Sequence, residues 1–135
     1  MTLPSRIMVK LSLAYLLMGA SMGVMLLLNK AFNFYAPLWA VLPVHIEFML
    51  IGWVVQLTLG VAYWILPRYF GKQGRGNPIL AYAMIGVLNT GIIVVSLSQL
   101  DVLPSAGSWM GRCLEMGGVI LFVFLHWKRI VTYNK

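Results

Sequence analysis

The sequence predicts an all-α integral membrane protein: one unit, residues 1–135, built as a bundle of four transmembrane helices with both termini in the cytoplasm. Three observations carry that prediction. The chain is 61% hydrophobic and only 10% charged, whereas a soluble domain carries about 25% charged residues. Its apolar residues gather in four runs, each near the ~20 residues a helix needs to cross the hydrocarbon core. Its basic residues stand at the ends of those runs rather than along one face.

The first span is expected over residues 7–28. It is too long for a cleaved signal peptide, and no small-x-small site followed by a polar region ends it. The aromatic segment "NKAFNFYAP" suits the outer interface and leads into the second span, residues 39–66. The basic, glycine-rich "RYFGKQGRGNP" then leads to the third span, residues 78–99. The nearly uncharged "LDVLPSAG" joins it to the fourth, residues 108–127. Arg6 and Lys10, then Arg68, Lys72 and Arg75, then Lys128 and Arg129 form the basic clusters. The first and third loops hold only Lys30 and, just inside the fourth span, Arg112. The positive-inside rule therefore places the N-terminus, second loop and C-terminus in the cytoplasm. A net charge of +7 arranged in this way marks membrane topology, not a nucleic-acid surface. The single Cys113 excludes an intrachain disulfide and any CxxC motif.

Polar groups inside such spans are costly and mark sites. His45 should lie roughly 8–10 Å below the outer surface. Met49, Gly52, Gln56, Gly60 and Tyr63 follow on its face at steps of three or four. A stripe of small and polar groups should face protein, because small residues let helices approach closely. Glu47 points about 200° away from His45 around the helix. On the fourth span Arg112 and Glu115, three apart, can pair on one face at a comparable outer depth. The alternative use of Arg112 is as a cationic anchor for an anionic group, such as a haem propionate or a quinone oxygen.

His126 lies roughly 27 Å below the start of its helix, so about 20 Å separates it from His45 along the membrane normal. The two cannot share one iron. His126 reads instead as an interfacial residue beside Trp127 and Lys128, or as part of a second, cytoplasmic-side site. If His45 ligates a haem, the sixth ligand is a methionine at outer depth (Met22, Met25, Met110 or Met116) or His45 of a neighbouring subunit. A plain interhelical hydrogen bond is the competing use of His45. Copper or zinc lacks the usual partner histidines and cysteines.

His45, Gly52-Trp53-Val54, Gly60-x-x-Tyr63 and the closing Leu66-Pro67-Arg68 resemble the second transmembrane helix of haem-copper oxidase subunit I. The likeness is to its cbb3-type and nitric-oxide-reductase branches. In that family the matching histidine binds low-spin haem, so the resemblance implies haem b with His45 as axial ligand. It also implies a bacterial or archaeal inner (plasma) membrane. Met49, Gly52 and Gln56 are then expected beside the cofactor and Arg112 at a propionate. The family's other metal-binding histidines have no counterpart here, and this chain supplies one arc of four helices where the oxidase subunit has three. A stand-alone oxidase is not expected. The expected role is electron transfer, haem handling or gas sensing by a homo-oligomer, a dimer or a trimer. The alternatives are an accessory or assembly subunit packed on a respiratory-chain partner, and a small proton or ion carrier with Glu47, Gln56 and Glu115 lining the route.

Overall fold

The computed structural model describes residues 2–66 and 77–131. Arg68, Lys72 and Arg75, and the Pro67-Arg68 end of the quoted pattern, lie outside the described residues. Four helices are long and apolar enough to cross a membrane: α1 (Leu3–Phe32), α2 (Ala36–Ile65), α3 (Pro78–Gln99) and α4 (Ala106–Val131). No strand forms among the described residues. In lipid a helix meets every backbone hydrogen bond within its own segment, and four apolar helices are one of the few ways to do so.

Local chemistry sets the ends. Pro4 opens the first turn of α1, where a missing N–H costs nothing. Asn33 closes it in the left-handed region (φ 47°), returning its N–H to the Asn29 carbonyl at 2.7 Å. Asn77 caps α3: its Oδ1 accepts from the Ile79 N–H at 2.9 Å, with Pro78 at the first helical position.

The second helix is not uniform. It enters through a tight 3-10 segment, Ala36–Val41, then an α-helical turn and a half, Leu42–Glu47. A wide π segment follows, Phe48–Val55, before regular α-helix returns over Gln56–Ile65. The sequence reading treated this span as one regular helix; its apolar period carries no signal for the wider winding. Rare wide turns of this kind gather at functional sites, and this one begins directly after His45 and Glu47.

Two hairpins make the bundle. In one, α1 lies along α2, with Ser5 donating to the Gly60 carbonyl at 2.7 Å and Tyr15 seated on Gly52. In the other, α3 and α4 meet backbone to backbone. A Cβ at Gly91 would stand 2.9 Å from both the Glu115 nitrogen and the Gly111 carbonyl oxygen. That contact needs glycine on both helices. Met8, Tyr15, Leu59, Met84, Ile85, Leu88 and Ile92 form the shared core, with α3 as its most enclosed helix. Long side chains bridge α2 and α4, and those bridges build the site.

Candidate functional site

Two residues two apart on α2 face different helices. The Nδ1 of His45 lies 2.8 Å from the Gly19 carbonyl oxygen on α1. A carbonyl only accepts, so this nitrogen carries the proton; in the neutral tautomer Nε2 then holds the lone pair. The ring rests on α1 at Gly23, where a Cβ would come within 2.8 Å of its Cε1. Glu47 turns the other way, is 2% exposed, and meets Arg112 of α4 at 2.7 Å. The expected divergence of the two side chains is what the helix delivers.

His45 borders an open-sided pocket of about 440 Å³, with Ala20, Gly23, Val24, Leu26, Leu27, Lys30, Trp39 and Leu42 as the other walls. Lys30 is the charged residue in that lining. Met22, Met25, Met110 and Met116 do not line it, and the last three are more than half exposed. Met49, Gly52 and Gln56, expected beside the cofactor, pack on α1 instead. Met49 covers Gly19, Gly52 lies under Tyr15, and Gln56 donates to the Met8 carbonyl at 3.4 Å. The stripe faces protein as expected: Met49, Gly52, Gln56 and Gly60 pack on α1, and Tyr63 packs on α4.

Arg112 takes the ion-pairing role. Its Nη1 donates to Glu115 Oε2 at 2.9 Å on the same helix and to Glu47 Oε2 at 2.7 Å across the bundle. Both carboxylates are buried, whereas the arginine side chain is 47% exposed. Glu115 reaches this position because Gly91 leaves room for its Cγ. The approach of Glu47 to Arg112 joins residues 65 positions apart and has no signature in helical spacing.

The opposite end of α2 and α4 holds a second polar group. His126 does not face outward at the interface: it is 1% exposed, its Nδ1 donates to the Phe122 carbonyl at 2.7 Å, and its ring stacks on Phe122. Tyr63 closes against it edge-on at 5.2 Å. Burial of this ring follows from the i, i+4 bond to Phe122, which turns it inward. Arg129, read from sequence only as a topology charge, is 2% exposed. It donates to the Leu66 carbonyl at 2.6 Å and sits 5.6 Å above the Tyr63 ring. The spacing of His126 and Arg129, three apart on one helix face, was the available signal. His45 contacts the middle of α1 while His126 contacts the end of α2, so the two histidines belong to separate sites.

No protein-family model matches the chain, and neither a curated protein nor a solved structure matches it.

Proposed function

We propose that this is a b-type haem-binding protein of a bacterial or archaeal inner membrane, with cytoplasmic termini. It works as a homo-oligomer in electron transfer, haem handling or gas sensing, and is related in design to one arc of haem-copper oxidase subunit I. The observation that carries the reading is the 2.8 Å contact from His45 Nδ1 to the Gly19 carbonyl, at the edge of an apolar pocket. A backbone acceptor on one ring nitrogen is the usual way of fixing an imidazole whose other nitrogen ligates a metal.

The pocket residues suit the group. Its volume of about 440 Å³ falls in the ordinary range for small-molecule sites. Gly23 leaves the space that the imidazole occupies, and Ala20, Val24, Leu26 and Leu27 supply apolar walls. Lys30 offers the pocket's cation to a carboxylate, the part first assigned to Arg112. When bound, haem supplies one-electron or gas-ligand chemistry, and the protein tunes it through the axial ligand and the apolar walls. His45 is the one imidazole of the lining and no methionine joins it there. If haem occupies the pocket, His45 would hold it from this subunit and His45 of another subunit could supply a second ligand across the open side.

A reduced-minus-oxidised absorption spectrum of the purified protein, with and without added haem, tests the reading alongside His45→Ala. The expected result is a sharp b-type band in the wild type that the substitution removes. A wild type that stays colourless after haem is supplied defeats it. A six-coordinate haem on a strictly monomeric protein defeats the shared ligand alone.

A further inference from the structure

Tyr63 stands 18 residues after His45, about five whole turns of a regular α-helix, so the two side chains should share one face. They do not. His45 meets α1 at the Gly19 carbonyl, 2.8 Å away, whereas Tyr63 meets the His126 ring of α4 at 5.2 Å. Glu47 departs in the opposite sense. It precedes Tyr63 by 16 residues, which in a regular helix would set the two about 160° apart. Yet Glu47 also faces α4, through Arg112 at 2.7 Å. No such mismatch arises on α4, where Arg112 and His126 are 14 residues apart and so lie within about 40° of each other.

One residue accounts for both mismatches. Between the two ends of α2 lies the π segment, Phe48–Val55, whose i to i+5 bonding spends more residues on each turn than an α-helix does. A surplus of one residue withholds about 100° of rotation. It takes Tyr63 about 100° off the face of His45 and brings it to about 60° from Glu47. The segment is firmly seated. A Cβ on Gly52, within it, would stand 2.6 Å from Cγ of Tyr15, and Tyr15 is tied to Asn89 of α3 at 3.1 Å. Past the segment, Gln56 donates to the Met8 carbonyl at 3.4 Å and Ser5 to the Gly60 carbonyl at 2.7 Å. That half of α2 is therefore held on α1 by bonds in which His45 has no part.

We propose, on the reading of His45 as haem ligand, that the π segment is the positioning element of the haem site. Its surplus residue turns the Leu42–Glu47 end of α2 so that His45 presents its ring to Gly19, Gly23 and the pocket, while Tyr63 keeps its contact with His126. A regular helix has to give up one of the two. With Tyr63 on His126, the ring of His45 would turn toward α4 and leave the pocket.

Nuclear Overhauser contacts in detergent micelles test this before any haem is added. In the wild type, a contact between His45 Hε1 and Gly23 Hα should appear together with one between the Tyr63 and His126 rings. A regular helix cannot yield both, so the absence of either overturns the proposal. Deletion of Val54, a half-exposed residue of the segment, should keep the ring contact and lose that of His45. Added haem should then give a b-type band in the wild type and in Val54→Ala, which keeps the residue count, and none in the deletion. A deletion that retains the band or the His45 contact overturns the proposal and leaves the haem reading standing. A wild type that takes no haem overturns both. Loss of both contacts in the deletion would report a fold that fails, and their coexistence in the wild type then decides.

Discussion

Replacing Gly91 by alanine tests the seam on which the Glu47–Arg112–Glu115 ion cluster depends. The new Cβ would sit 2.9 Å from the Glu115 nitrogen and the Gly111 carbonyl oxygen, where ordinary contact begins at 3.4 Å. Both atoms are backbone and neither can swing aside, so α3 and α4 must part by about half an ångström. A gap of that size forfeits about a quarter of each dispersion contact, itself worth about 0.1–0.2 kcal/mol. Over roughly 40 atom pairs along the seam the loss is about 1–2 kcal/mol, in the usual range for overpacking. Alanine's better helix propensity returns up to about 1 kcal/mol. Gly86 is the control: a Cβ there meets nothing within 4 Å, so Gly86→Ala receives the propensity gain alone. Unfolding in mixed micelles titrated with dodecyl sulfate, followed by far-ultraviolet circular dichroism, should rank Gly91→Ala below Gly86→Ala by about 1–2 kcal/mol. Equal stability of the two variants would refute the backbone contact between α3 and α4.

The other predictions address single contacts. Gly23→Ala should displace the His45 ring, since the added carbon would approach its Cε1 to 2.8 Å; haem binding should weaken while the dichroism spectrum stays helical. Arg129→Leu should cost about 2–4 kcal/mol in the same micelle titration, because charge-assisted bonds to the Leu66 and Tyr63 carbonyls are lost together with the ring contact. A cost below about 0.5 kcal/mol would mean that water replaces the guanidinium. Tyr15→Phe removes only the 3.1 Å bond from Tyr15 to Asn89 and keeps the ring on Gly52. It should cost about 0.6 kcal/mol, the average for hydrogen bonds between membrane helices.

Composition and the spacing of apolar runs made the spans legible. The third coincides with residues 78–99, since Asn77 and Pro78 mark its start in plain chemistry. The first and fourth extend a few residues beyond their expected limits at both ends and the second only at its start, because apolarity ends before helical hydrogen bonding does. The divergence of His45 and Glu47 was readable from helical geometry alone. The partners of those residues were not. Gly19 and Arg112 are chosen by how separate helices stack, and amphipathic period is weak in helices that meet lipid on one side and protein on the other. Lys30 escaped notice as a pocket residue because its position at the end of α1 fits a topology charge equally well. Arg129 was misjudged for the same reason: a terminal arginine and a buried carbonyl cap share one sequence signal.

Among the described residues, two of the bridges between α2 and α4 are made by arginines of α4, at positions 112 and 129. Their spacing corresponds to about 25 Å of helix, most of the thickness of the hydrocarbon core. On α2 the matching acceptors are Glu47 at one end and Tyr63 and Leu66 at the other, with the π segment between them. The two helices are thus pinned in axial register at both ends. A piston-like slip of either by one turn would break the two clasps together. A disturbance of Arg112 at one end of the bundle is therefore felt as axial load on α2 at the other, with no side chain in between required to move.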